Sequence, residues 1–240
     1  MTGWVDGPMV AFDVETTGVS VEKDWILSSS LVNIPRSGPV QSDTQYLDHG
    51  LSDPIGGGHI HKMDAAFLKE HGDDPGATLE AICEVLSIMV DQDTPLVGMN
   101  LVFDLTMLDR NCRRLGVQPL TDRIPVWCLD ALVLDKGVHP YRKGKRTLET
   151  LAKVVYQVPW DDDLAHTSAG DALAAARVVW RIGRLYPRLG SLTVPQVHQL
   201  QIEWKQTQDA SFAEYRRGRN EPIDGLDGHW PVRPLLRVVK

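Results

Sequence analysis

The apolar run Met9-Val10-Ala11-Phe12 passes into Asp13-Val14-Glu15 and stops at Thr16-Thr17-Gly18, so the first pattern along the chain is a buried strand ending on a turn. Strand side chains alternate faces, which puts Phe12 and Val14 on one side and Asp13 and Glu15 together on the other. Residues 25–34 are apolar, rich in β-formers and broken at Pro35. Arg36-Ser37-Gly38-Pro39 is turn chemistry, and residues 40–47 return as an antiparallel neighbour. Residues 48–61, with Asp53-Pro54 and Gly56-Gly57-Gly58, read as a long loop.

Helical spacing then takes over. A short helix is predicted over 63–71, and Asp74-Pro75 supplies a cap and a first-turn proline for a helix over 77–91. Leu79, Ile82, Cys83, Leu86, Met89 and Val90 share one face of it. Residues 95–99 read as a buried strand, followed by a helix over 100–115 that Gly116 closes. A strand over 125–128, one or two helical turns over 129–134, a basic loop over 141–146 and helices over 147–156 and 168–186 complete the pattern. Three strands followed by alternating helix and strand predict an α/β fold, a mixed central sheet flanked by helices on both faces. From about residue 191 the composition turns to Gln-rich helix, and beyond Gly218 to a Pro- and Gly-broken tail. The division expected is therefore a domain over 1–190 with a helical C-terminal extension and irregular tail over 191–240.

Composition changes this picture little. At 240 residues, 42% hydrophobic and 24% charged, the chain reads as a globular protein with one substantial core. Cys83, Cys112 and Cys128 lack C-x-x-C spacing and read as reduced thiols of a cytoplasmic protein. Met1-Thr2-Gly3-Trp4 has neither the basic nor the apolar region of an export signal, and no apolar run is long enough for a membrane span. A net charge of −7 argues against wrapping long duplex by bulk electrostatics, but bound divalent metals can reverse the sign locally.

The candidate chemistry starts at Asp13 and Glu15. Two anions held side by side at the end of a core strand suit a cation, and an all-oxygen ligand set suits Mg²⁺ or Mn²⁺ rather than zinc; alone, they also read as solvated carboxylates at a strand end. Asn100 and Asp104 follow the second buried strand; alone, they also read as an N-cap and a first-turn carboxylate. His166 and Asp171 flank the start of the last core helix, where Ser168 and Asp171 also have the spacing of a capping pair.

Taken together, Asp-Val-Glu-Thr-Thr-Gly over 13–18, Asn-Leu-Val-Phe-Asp over 100–104 and His-Thr-Ser-Ala-Gly-Asp over 166–171 resemble the three motifs of the DEDDh 3′-to-5′ exonucleases, the family of the proofreading epsilon subunit of bacterial DNA polymerase III and of ribonuclease T. The similarity extends over about 8–187. Ile60-His61 resembles the family's V-H-G-I loop with Lys62 in place of Gly, Met99 stands where His is common, and Lys145-Arg146-Thr147-Leu148 resembles its K-R-x-S-L segment.

The resemblance implies a ribonuclease H-like fold and two divalent metal ions, Mg²⁺ or Mn²⁺, held by Asp13, Glu15, Asp104 and Asp171, with His166 as general base. It implies a 3′-to-5′ exonuclease that releases nucleoside 5′-monophosphates from single-stranded or frayed DNA ends. An RNA- or oligoribonucleotide-trimming enzyme is the alternative, and a low-activity module that binds strand ends or a polymerase is a further one. Thr16, Thr17, Ile60, His61, Asn100, Phe103, Lys145 and Arg146 are the implied substrate contacts, with Arg142 and Lys143 as further candidates to touch phosphate. The partners expected are a nucleic-acid 3′ end, DNA ahead of RNA, and a DNA polymerase or replication factor, with no membrane. His49, His59, His71, His139, His198 and His229 have no ligand spacing and read as loop or surface residues. Val197, Leu200 and Trp204 read as a core-packing helical stripe.

Overall fold

The computed structural model describes residues 3–235. Strands β1 (Met9–Thr16), β2 (Ile26–Ile34) and β3 (Gln41–Tyr46) form an antiparallel meander. A one-turn helix α1 (Gly58–His61), then α2 (Ala65–His71) and α3 (Pro75–Met89), lead into β4 (Leu96–Gly98). Helix α4 (Leu101–Arg114) returns to β5 (Cys128–Asp130), which runs directly into α5 (Ala131–Val138). Beyond the basic loop lie α6 (Ser168–Leu185), the one-turn α7 (Pro187–Gly190) and the long α8 (Val194–Arg217).

The sheet order is β3-β2-β1-β4-β5, with β4 and β5 parallel to β1, so the predicted mixed sheet is present with β1 at its centre. Alternation along β1 divides the core. Val10, Phe12 and Val14 pack with α3 and α4 residues such as Leu79, Ile82, Leu86 and Leu105, while Met9 and Ala11 pack with Ala172, Val179 and Ile182 of α6. Asp13 and Glu15 continue the second face, toward the start of α6.

Several predicted elements shift. The loop over 48–61 ends in the α1 turn, and the strand expected over 125–128 lies at Cys128–Asp130. The turns over 129–134 extend as α5 to Val138. The helix expected over 147–156 is mostly a widened turn, Thr150–Val155, in which Tyr156 N–H donates to the Leu151 carbonyl at 2.8 Å.

The 191–235 segment packs closely on the edge strand β5. Gln201 Oε1 accepts from Asp130 N–H at 2.7 Å and its Nε2 donates to the Cys128 carbonyl at 2.9 Å, while His198 Nδ1 accepts from Cys128 N–H at 3.0 Å. Side chains of α8 thus take the place of a sixth strand. His198 is consequently a buried helix residue and not the surface group expected; burial lowers its pKa. His49 and His139 are likewise engaged, with the Ile26 carbonyl and the Tyr186 hydroxyl. Val197, Leu200 and Trp204 pack into the core as their spacing predicts. Among the described residues no helix is long and apolar enough to cross a membrane.

Candidate metal centre

Three separate stretches of chain meet beyond the carboxyl end of β1. Asp13 and Glu15 project from the strand, and α6 delivers Asp171 in its first turn; carboxylate oxygens of these three residues all lie within 4.8 Å of one another. Asp104, 4% exposed in the first turn of α4, lies close enough for its charge to raise Asp13, with its Oδ1 accepting from Val14 N–H at 3.3 Å. It lies outside the 4.8 Å group.

Electrostatics make this arrangement costly as it stands. Burial, followed by the charges of Asp104, Asp171 and Glu15, holds Asp13 well above the usual carboxylate range. Burial and then Asp171 push Glu15 up to about 7. Burial pushes Asp104 up to about 8, against the hydrogen bonds from its own and Val14's N–H, while Asp130 and Glu15 raise it further. Asp171 is raised by burial, partly offset by His166. Among the described residues none of the four forms an ion pair with Lys or Arg. Clustered carboxylates without a cation are the donor set that hard divalent ions fill, so these residues fit Mg²⁺ or Mn²⁺.

The backbone around the cluster is held in unusual conformations. Lys62, Asn100 and His166 all have positive φ, at 60°, 64° and 62°. Non-glycine residues adopt this region rarely, and such strain persists where the surroundings over-determine it. Lys62 closes the α1 turn in a left-handed conformation, which accounts for glycine being common at that position of the resembling loop. Gly56 and Gly57 let this loop lie against the Thr17 and Thr16 carbonyls: a Cβ on Gly56 would collide with the Thr17 carbonyl, and Gly57 takes a φ of 74°.

His166 is exposed at the rim of an open cleft of about 380 Å³ that also borders Glu15. Tyr46, Met63, Phe67 and Leu164 supply the cleft's apolar and aromatic lining. Its backbone N–H donates to Asp171 Oδ1 at 3.4 Å, tying the loop to the cluster. Helix α6 is capped by Thr167, whose Oγ1 accepts from Gly170 N–H at 3.1 Å, and not by the Ser168–Asp171 pair that spacing suggested. Ser168 is buried instead, its hydroxyl 2.7 Å from that of Ser30 and 3.3 Å from that of Ser28. Ser30 and Ser28 pair across the sheet with Asp13 and Glu15, so this hydroxyl clamp sets α6 against the acidic strand. Three consecutive serines in an otherwise apolar strand were the signal for it, since buried hydroxyls need partners.

The implied substrate contacts are not equivalent. Ile60 is exposed, Phe103 is half-buried against the core, and Asn100 is exposed with no capping bond from its side chain. His61 is buried with both ring nitrogens occupied: Nε2 is 3.1 Å from the Gly56 carbonyl and Nδ1 accepts from Met63 N–H at 3.1 Å. It therefore shapes the loop. Thr17 Oγ1 donates to Asp24 and accepts from Trp25 N–H, which commits its hydroxyl to the turn, while Thr16 Oγ1 donates to the Gly18 carbonyl at 2.7 Å. Arg146 and Arg142 both pair with the fully buried Asp135, which also accepts from the Tyr156 hydroxyl at 2.8 Å. Lys143 and Lys145 remain exposed on that loop.

No family model matches the chain. Among curated proteins it is 25% identical over 188 residues to the PolC-type DNA polymerase III of Lacticaseibacillus paracasei, covering 77% of this chain and 12% of that polymerase. It is 28% identical over 149 residues to the PolC-type enzyme of Pediococcus pentosaceus, covering 61% and 10%. The chain thus spans only about a tenth of these relatives. Solved structures with the same fold include an exonuclease I (TM-score 0.63, 17% identity, 76% of this chain and 42% of that one). Escherichia coli exonuclease I bound to a dT13 oligonucleotide (0.59, 18%, 76% and 43%) and the enzyme of Methylocaldum szegediense (0.61, 15%, 87% and 46%) share it too. The ribonuclease H-like fold expected from the three motifs is the fold these neighbours share with this chain.

Proposed function

We propose that this chain is a divalent-metal-dependent 3′-to-5′ exonuclease that removes nucleoside 5′-monophosphates from single-stranded or frayed DNA ends. The observation that carries this reading is the meeting of Asp13, Glu15 and Asp171, with Asp104 close enough to raise Asp13, and among the described residues no Lys or Arg ion pair to any of the four. Two Mg²⁺ or Mn²⁺ ions held there would supply Lewis acidity at a phosphodiester and acidify the attacking water.

The remaining work falls to the chain's own groups. His166 is exposed at the cleft rim, free to accept a proton from that water and release it to solvent. Thr16 ends the acidic strand and Thr17 follows it, with their carbonyls turned to the Gly56-Gly57 crossing, where a terminal sugar hydroxyl could donate to them. Ile60, Phe103 and the aromatic lining of the cleft offer base-tolerant apolar contact. Lys145, with Lys143, is free for an upstream phosphate, whereas Arg146 is occupied by Asp135. DNA is favoured over RNA because exonuclease I of this fold has been crystallised with dT13, and the PolC-type relatives make a polymerase the favoured partner class.

The test is 5′-labelled single-stranded DNA, duplex DNA and RNA incubated with the full chain in Mg²⁺, Mn²⁺ or EDTA. Stepwise shortening of single-stranded DNA that stops in EDTA and in Asp13→Ala is expected. Intact polynucleotides in excess Mn²⁺ would overturn the reading, and faster loss of RNA would move the substrate to the ribose series.

A further inference from the structure

Asp130 ends β5, is 1% exposed and takes no part in the cluster described above, yet five N–H groups converge on its carboxylate. Oδ1 accepts from Asn100 N–H at 3.0 Å, from Leu132 N–H at 2.8 Å and, weakly, from Val133 N–H at 3.4 Å. Oδ2 accepts from Leu101 N–H at 2.9 Å and from the Trp230 indole N–H at 3.3 Å. Its own backbone N–H is held by Gln201. The side chain therefore joins the starts of α4 and α5 to the C-terminal turn, and the backbone of the same residue ties them to α8.

The start of α4 needs such a clamp. Asn100 turns the chain at φ 64° and its side chain makes no capping bond, so the first N–H groups of the helix would otherwise lack partners. Asp104 lies one turn further on, and its place beside Asp13 follows from where that turn begins. We propose that Asp130 is a positioning residue for the metal centre: by fixing the Asn100–Leu101 turn it sets the Asp104 carboxylate, and Trp230 brings the C-terminal segment into the same node. The proposal rests on the four carboxylates being metal ligands. Groups that orient ligands from behind commonly govern metal affinity by about 10- to 100-fold.

Asp130→Asn is the informative change, because whichever way the amide turns, its NH₂ faces two or more of the N–H groups the carboxylate now accepts. Mn²⁺ affinity is read by paramagnetic resonance on the full chain, alongside thermal melting and steady-state kinetics on single-stranded DNA. Asp130→Asn is expected to weaken Mn²⁺ binding by about 10- to 100-fold. Turnover should recover at high Mn²⁺, with the KM for DNA unchanged. Trp230→Phe should shift affinity less, in the same direction. Ile182→Val, a core change three turns along α6 from Asp171, should lower the melting temperature without moving Mn²⁺ affinity.

Wild-type Mn²⁺ affinity in a folded Asp130→Asn, or an equal loss in Ile182→Val, would overturn the proposal. If Asp130→Asn does not fold, unchanged Mn²⁺ affinity in Trp230→Phe overturns it. A wild type that binds no Mn²⁺ fails at the earlier step, and removes the metal centre together with this role for Asp130.

Discussion

Glu15 and Asp104 carry a pH signature that follows from their burial. Their folded pKa values, about 7 and about 8, lie above the ordinary 4.5 and 3.8, so the metal-free fold binds these protons more tightly than the unfolded chain does. That contribution to stability is complete below about pH 4 and is lost as pH rises through 7 and 8. The metal-free protein should therefore melt at a lower temperature at pH 8.5 than at pH 5.5, and Glu15→Gln should flatten the decline. Superimposable melting curves for the two proteins across that range would contradict the assignment. Mn²⁺ at a hundred times its Kd should add about 2.7 kcal/mol at pH 8.5, or roughly 5–10 °C for a chain of this size. At pH 5.5, where protons occupy the ligands, the gain should be smaller. His166 belongs to a different class, since its exposed imidazole makes no hydrogen bond or ion pair among the described residues. His166→Ala should keep the melting temperature and Mn²⁺ affinity while losing about 10²- to 10⁴-fold in rate, measured by single-turnover hydrolysis. At this scale the acidic residues were legible because strand alternation and motif spacing both act on them directly. Ser168 was misread because Thr167, one position earlier, takes the cap and frees Ser168 to bond β2. Arg146 carried no visible sign of its partner, because Asp135 lies eleven residues away on a helix whose extent the sequence understated.

Among the elements, α8 does the least expected work. Its apolar stripe pointed to core packing, but nothing in the Gln-rich composition marked Gln201, which is fully buried and supplies both a donor and an acceptor to β5. Gln201→Ala leaves Asp130 N–H and the Cys128 carbonyl without partners, at about 1–3 kcal/mol each, so thermal unfolding should show a loss of roughly 2–6 kcal/mol. A change within ~0.5 kcal/mol, the range of ordinary surface substitutions, would show that water reaches this edge. The central strands and α3, α4 and α6 were legible because an apolar period needs only the local sequence. The widened turn at Thr150–Val155 was not, since a shift to i→i+5 bonding leaves no mark in the apolar spacing. The start of β5 moved because Pro125 has no N–H to give, and the first ladder contact in that region is the Trp127 carbonyl receiving Leu96 N–H at 2.8 Å.

For the whole molecule, an acidic chain of net charge −7 gathers four carboxylates in one region, reached from β1, α4 and α6. The sheet order explains how: β1 is central, β4 lies parallel beside it, and α6 covers the face that carries Asp13 and Glu15. Convergence of this kind was legible from three spaced motifs, whereas the tie from the centre through Asp130 to Trp230 was not, because it joins residues a hundred positions apart with no shared pattern. The measurement that tests the convergence most directly is the anomalous difference map of crystals grown in Mn²⁺. The account predicts manganese peaks within ligand distance of Asp13, Glu15 and Asp171, with further density between Asp13 and Asp104, and their loss in Asp13→Ala. A map with no manganese at these carboxylates, from crystals of protein that is folded and saturated with the ion, would contradict it.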